Sequence, residues 1–159
     1  MTDSKAKTDL ETPGTEAGSV VVLTQRIAAP PEAVFEFLVD PEKVLRWMGR
    51  SVDIDPRPGG QFRLAATVND TAVGTYVEVD RPNRVVFTWG WEGSAEVPPG
   101  SSTVTFTLSA DEDDTVVELR HEGLPEGTGD SHSEGWGYFL PRLGMVAVGE
   151  DPGPDRHAS

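Results

Sequence analysis

Residues 101–122, SSTVTFTLSADEDDTVVELRHE, contain two alternating apolar and polar segments separated by an acidic turn. One face of this pair collects its bulky side chains, namely Val104, Phe106, Leu108, Val117, Leu119 and His121. Alternation of this kind around a short polar connection predicts an antiparallel β-hairpin with one buried face. Such a face must be covered by another element, so this hairpin decides the class of fold.

The same period of two continues on both sides of the hairpin. Turn signals rich in Gly, Pro, Asn and Asp separate the segments. We predict strands at 20–27, 52–55, 61–68, 71–80, 84–91, 101–110 and 115–122. Their connections are too short for parallel crossovers, so we expect one antiparallel sheet of about seven strands.

Helical signals occur at two places in the chain. Two short helices are predicted after the first strand, one over 31–38 and one that Asp40 caps. A longer helix is predicted over 132–148, although its glycines and Pro141 oppose helix formation. We expect Pro141 to kink this helix, because proline has no N–H to donate within it.

These elements predict an α+β fold in which a curved antiparallel sheet wraps around the long C-terminal helix. The two short helices are expected to close one end. Residues 1–18 and 149–159 contain too few bulky apolar side chains to offset the entropy of ordering. We therefore predict a disordered N-terminal arm at 1–18, one folded domain at 19–148 and a disordered tail at 149–159.

Charge and composition exclude several classes of function. The net charge of −14 repels nucleic acids and anionic lipid surfaces. The chain has no cysteine, and its three histidines show no spacing typical of metal ligands, so no metal site or cofactor is expected. It also lacks a signal sequence or an apolar membrane span, and a cytoplasmic location is expected.

An ordered series of short motifs resembles one known superfamily. The series includes IAAPPEAVF at 27–35, RPGG at 57–60, VEVDRP at 77–82, VFTW at 86–89 and TVVELRHEGL at 115–124. It is similar to the SRPBCC superfamily, also called START-like or birch-pollen-allergen-like. Within that superfamily it most resembles bacterial homologues of the activator of the heat-shock chaperone ATPase. The resemblance implies the helix-grip fold, an internal apolar pocket, a chaperone as a partner and a role in the stress response.

The inward-facing side chains supply the candidate binding residues. We predict that a small hydrophobic or amphipathic ligand lies between the sheet and the C-terminal helix. The residues expected to contact it are Phe62, Leu64, Tyr76, Phe87, Trp89, Phe106, Leu119, His121, Trp136, Phe139, Leu140 and Leu143. The same rings could instead interdigitate into a solid core, and the sequence does not decide between the two.

Two other functions remain open at the level of sequence. One is a chaperone-regulating interaction module, which only the family resemblance implies. The other is a cyclase-like enzyme that uses His121 as an acid or base, although His121 also fits a purely structural role. No nucleophile motif is present, so no catalytic residue is assigned and a binding protein is favoured over an enzyme. The sequence is compatible with a monomer or a homodimer.

Overall fold

The computed structural model describes residues 19–157, which form seven strands and three helices. The strands are β1 (Ser19–Ile27), β2 (Ser51–Ile54), β3 (Gln61–Ala65), β4 (Thr71–Asp80), β5 (Arg84–Trp89), β6 (Ser102–Asp111) and β7 (Asp114–Leu124). The helices are α1 (Pro31–Val39), α2 (Pro41–Val44) and α3 (Gly129–Ala147). The predicted arm at 1–18 lies outside the described residues.

The seven strands form one antiparallel sheet in the order β1-β7-β6-β5-β4-β3-β2. In the hairpin of β6 and β7, Val104 pairs with His121 and Phe106 with Leu119, so the predicted apolar residues do lie side by side. The curved sheet packs its apolar face against α3, which also contacts β1 and α1. The predicted α+β helix-grip architecture is therefore confirmed.

The two short helices follow β1, as predicted, and α1 contacts α3, β6 and β7. Pro31 begins α1, where its missing N–H costs nothing. The side chain of Asp40 caps α2 by accepting a hydrogen bond from the N–H of Glu42 at 3.0 Å. Beyond α2, the indole of Trp47 donates to the carbonyl of Phe37 at 2.8 Å and fixes the chain against α1.

Several element boundaries differ from the predicted ones. β3 ends at Ala65, because the hydroxyl of Thr67 accepts hydrogen bonds from the N–H groups of Asn69 and Asp70 and turns the chain. β5 ends at Trp89, two residues earlier than the alternation indicates. Helix α3 begins at Gly129 rather than at residue 132, and it runs without interruption through Pro141.

The C-terminal segment at 149–157, here called the strap, packs on the folded domain. The buried guanidinium of Arg142 donates to three main-chain carbonyls, those of Trp47, Pro152 and Pro154. The carboxylate of Asp155 accepts from the N–H of Gly49 at 3.1 Å. The strap is held by these polar contacts and by the ring of His157, which lies 4.6 Å from that of Tyr138.

Candidate functional site

A cleft of about 480 Å³ opens between the N-terminal half of α3, the end of β3 and the segment after β5. We call it the aromatic cleft. Its apolar wall consists of Met48, Leu64, Ala66, Trp89, Trp91, Trp136 and Phe139. Its polar lining consists of Asp70, Glu92, Ser94, Ser131 and His132. A cleft of this size, mostly apolar with a few polar groups, is suited to a small organic molecule.

Three indoles meet in the aromatic cleft because of where β5 and α3 place them. Trp89 is the last residue of β5, and Trp91 follows after the strand has ended. Their ring centroids are 5.2 Å apart with the planes at 83°, and Trp136 of α3 lies 5.3 Å from Trp89. Gly135, which also lines the cleft, has nothing within 4 Å of where a side chain would begin. The cleft is therefore open beside the rings, at Gly135.

His121 is completely buried, and both of its ring nitrogens are already bonded. The indole N–H of Trp136 donates to Nδ1 at 3.1 Å, so Nδ1 carries no proton. The hydroxyl of Ser102 donates to the carbonyl of Trp89 at 2.7 Å, which leaves Oγ to accept from Nε2–H of His121 at 2.8 Å. This assignment of the neutral tautomer follows from the hydrogen-bond network.

Burial also fixes the charge of His121. Desolvation, with a smaller repulsion from His132, lowers the pKa of His121 from 6.5 to about 3. The imidazole is therefore neutral at physiological pH and has no free lone pair. This arrangement favours the structural interpretation of His121 over a role in acid–base catalysis.

His132 connects α3 to the segment after β5. Its Nδ1–H donates to the carbonyl of Thr128 at 2.8 Å, and its Nε2 accepts from the indole N–H of Trp91 at 3.1 Å. The Trp91–His132 bond joins two walls of the aromatic cleft. The spacing of the three histidines predicted only that they are not metal ligands, so this role of His132 was missed.

The structure divides the twelve predicted binding residues into two groups. Four line the aromatic cleft, namely Leu64, Trp89, Trp136 and Phe139. The other eight do not line the cleft and lie in the packed core, to which the first four also belong; they are Phe62, Tyr76, Phe87, Phe106, Leu119, His121, Leu140 and Leu143. In that core Phe62 stacks on Phe87 at 4.3 Å, and Phe87 lies 6.2 Å from Phe106. The protein therefore has both features that the sequence left open as alternatives, a packed aromatic core and a cleft lined by aromatic rings.

Several cleft residues were not among the predicted ones. They are Met48, Ala66, Asp70, Trp91, Glu92, Gly93, Ser94, Ser131, His132 and Gly135. Trp91 and Ala66 had a signal in the sequence, since Trp91 alternates in step with Trp89 and Ala66 in step with Phe62 and Leu64. The others come from turns and from the start of α3, where periodicity gives no orientation. A second, wider groove continues outward past Phe139 to the strap residues Arg156 and His157.

Residues 19–157 lack two further kinds of feature, a metal-binding cluster and a membrane-spanning helix. In that range no group of three or more His, Cys, Asp or Glu side chains is arranged to hold a metal ion. None of the helices formed by these residues is long and apolar enough to cross a membrane.

Comparison with known proteins identifies the family. Residues 28–147 match the family model described as activator of Hsp90 ATPase homolog 1-like protein. The chain belongs to this family. The family resemblance seen in the motifs is thereby confirmed. No curated protein matches the chain.

Solved structures of family members and of similar folds match most of the chain. An AHSA1-like protein from Rhizobium etli is 41% identical, with a TM-score of 0.68, over 91% of this chain and 92% of that one. CalU16 from Micromonospora echinospora is 30% identical, with a TM-score of 0.69, over 85% and 77%. An HSP90 activator from Plasmodium falciparum is 24% identical, with a TM-score of 0.68, over 83% and 97%, and shares the fold.

Proposed function

We propose that this protein binds a small hydrophobic or amphipathic molecule in the aromatic cleft. One observation carries the proposal: a cleft of about 480 Å³ stays open beside a wall that includes Trp89, Trp91 and Trp136. A cleft lined mostly by apolar side chains with a few polar groups is the usual form of a small-molecule site. An apolar ligand that displaces water from such a cleft gains roughly 25 cal/mol for each Å² of apolar surface that it buries.

The cleft wall is held in place by bonds that do not depend on a ligand. Trp136 is tied to His121 and Trp91 to His132, and Trp89 is the last residue of a paired strand. A preformed site of this kind loses little conformational entropy on binding. This supports a binding function rather than an accidental gap in the packing.

Thermal unfolding of the purified protein with neutral naphthalene-2-methanol tests the proposal. A ligand at 100 times its Kd stabilises the folded state by about 2.7 kcal/mol. We expect Tm to rise by several degrees and calorimetric titration to give a single site. An unchanged Tm together with no heat of binding would count against the proposal.

Gly135→Leu is the blocking variant for this test. The new side chain enters open space in the cleft and also improves helix propensity, so the variant should fold and lose ligand binding. Gly137→Leu is the matched control, because Gly137 is exposed two residues further along α3 and does not line the aromatic cleft. Equal loss of binding in both variants would place the ligand elsewhere.

Regulation of a chaperone ATPase is the second candidate. It is supported by the description of the family model and by the Plasmodium falciparum neighbour, which is named as an HSP90 activator. The test is the ATP hydrolysis rate of a purified bacterial Hsp90 with and without this protein. A rate that is unchanged at saturating protein would remove this candidate, and Gly135→Leu separates the two functions if the rate does rise.

A cyclase-like activity that depends on His121 receives no support from the site. Both nitrogens of His121 are bonded inside the core, and the ring is 0% exposed. A general acid or base must reach the proton that it transfers. We therefore expect His121 to contribute to stability and not to turnover.

A further inference from the structure

The polar lining of the aromatic cleft is short of available hydrogen-bond donors. The indole N–H of Trp91 is bonded to His132, and that of Trp136 is bonded to His121. The indole N–H of Trp89 is sealed from solvent and has no partner among the described residues. The three tryptophans thus present carbon surface to the cleft, and none offers a solvent-accessible N–H to an anionic ligand.

The remaining side-chain donors are mostly occupied as well. Nδ1–H of His132 and the hydroxyl of Ser131 both donate to the carbonyl of Thr128, at 2.8 and 3.1 Å. The hydroxyl of Ser94 accepts from a main-chain N–H and keeps its own proton available. Within residues 19–157, this hydroxyl is the one side-chain donor in the cleft lining that is accessible and uncommitted.

Acceptors in the same lining are plentiful and negatively charged. Asp70 and Glu92 both lie at the cleft, and no lysine or arginine from residues 19–157 lines it. One oxygen of Glu92 pairs with Arg63 at 2.9 Å, whereas Asp70 accepts from a neutral hydroxyl, that of Thr67, at 3.3 Å. Asp70 therefore forms no ion pair with another residue of 19–157.

Aromatic walls and carboxylates together suit one class of ligand. The π-face of tryptophan attracts cations that come within about 6 Å of the ring, by about 0.5–1 kcal/mol at exposed sites. Trp89 packs against both Trp91 and Trp136, with centroid separations of 5.2 and 5.3 Å, so the three indoles form one continuous aromatic wall of the cleft. A cation in the cleft would meet this aromatic wall and the carboxylates of Asp70 and Glu92, which belong to the same lining.

We infer that the occupant of the aromatic cleft is a hydrophobic organic cation, such as an arylalkyl amine or a quaternary ammonium compound. This inference rests on the proposed function, and it assigns the ligand class of the same site. The apolar part of the molecule lies among the three tryptophans and Phe139. Its ammonium group lies toward Asp70 and Glu92 and against the ring of Trp91, so that it can donate to carboxylate oxygens and also contact a π-face.

Three naphthalene probes of nearly equal size test the ligand class by calorimetric titration at pH 7. They are 2-naphthylmethylamine, which is cationic, naphthalene-2-methanol, which is neutral, and 2-naphthoate, which is anionic. We expect the cation to bind about tenfold more tightly than the alcohol, because cation–π and carboxylate contacts add. We expect the anion to bind most weakly, and added salt to reduce the advantage of the cation.

Asp70→Asn identifies the charge that is responsible. Asparagine keeps an oxygen for Thr67, so the turn should persist while cation affinity falls about threefold and alcohol affinity stays constant. Asp113→Asn makes the same charge change at the distant β6–β7 turn and should leave both affinities unchanged. Equal losses in the two variants would mean a nonspecific effect of net charge and would overturn the inference.

The outcomes distinguish the preference for a cation from the more general proposal that the aromatic cleft binds a small molecule. If the alcohol or the anion binds as well as the cation, the cation preference is wrong and the binding function stands. If none of the three probes binds, the binding function itself is contradicted. Loss of all binding in Gly135→Leu would place the probes in the aromatic cleft.

Discussion

At the scale of single residues, His121 shows how burial can make a histidine unavailable for catalysis or ligand binding. Its position on the apolar face of β7 made it the most prominent candidate in the sequence. The structure surrounds it with partners for both nitrogens, Trp136 on one side and Ser102 on the other. An imidazole that is neutral, desolvated and fully bonded stabilises the junction of β6, β7 and α3 and has no capacity left for a ligand.

The lowered pKa of His121 predicts a specific dependence of stability on pH. Its pKa is about 3 in the folded protein against 6.5 in the unfolded chain, so between these values the unfolded state binds the extra proton. The stability that comes from burying a neutral His121 is therefore fully present above pH 6.5. It is lost as the pH falls toward 3, at up to about 1.4 kcal/mol per pH unit. Urea unfolding of the protein at several pH values measures this loss.

His121→Gln provides the reference for that measurement. Glutamine can donate to Ser102 and accept from Trp136 but does not titrate, so carboxylate effects cancel in the difference between the two proteins. The free energies of unfolding should converge as the pH falls from 6.5. Parallel curves over this range would show that His121 is not held neutral by burial.

At the scale of elements, α3 is a helix that its own propensity opposes. Its glycines serve different purposes. A side chain at Gly144 would begin 3.4 Å from Gln25 and 3.7 Å from Ile27, so the missing Cβ lets α3 approach β1 closely. Gly135 and Gly137 have nothing within 4 Å and leave space beside the cleft and the outer groove. Packing on the sheet, rather than propensity, therefore maintains this helix.

Alanine substitutions in α3 distinguish the two kinds of glycine. Gly137→Ala should stabilise the protein by about 0.5–1 kcal/mol, because alanine reduces the entropy lost in an exposed helical position. Gly144→Ala should gain less or become destabilising, since its methyl group contacts β1. Urea unfolding measures both values, and a larger gain at Gly144 would contradict the packing argument.

At the scale of the whole molecule, side-chain periodicity predicted the sheet and the helix but not the shape of the interior. The alternation of Val104, Phe106 and Leu108 with polar residues was enough to predict which face of β6 is buried. It could not locate the end of β5, because the carbonyl of Pro98 comes so close to Gly90 that a Cβ there would lie 1.8 Å from it. That approach is a tertiary contact between residues outside the strands, and no local pattern encodes it.

The same limit applies to the strap and to the candidate site. Apolar content alone predicted a disordered tail at 149–159, whereas the buried Arg142 bonds the main-chain carbonyls of Pro152 and Pro154, a type of contact open to any residue. Parity also gives the face on which Phe87 and Trp89 lie, but not their positions along the axis of α3. Position along that axis decides whether a ring fills the core or borders the cleft.

Two substitutions that each remove a ring test this division of the interior. Phe87→Leu changes the packed core, where the ring is 4% exposed and stacked on Phe62, and should cost about 1–3 kcal/mol of stability. Trp91→Leu changes the half-buried wall of the aromatic cleft and breaks its bond to His132. We expect it to cost less stability and to weaken binding of naphthalene-2-methanol.

Urea unfolding and calorimetric titration of both variants give the comparison, under conditions where each is fully folded. A divided interior requires opposite rankings, with Phe87→Leu lower in stability and Trp91→Leu lower in affinity. If Phe87→Leu weakened binding as much as Trp91→Leu, the core and the cleft would act as one unit. Ligand binding would then depend on the packing of the whole sheet, and a single filled interior would be the better description of this fold.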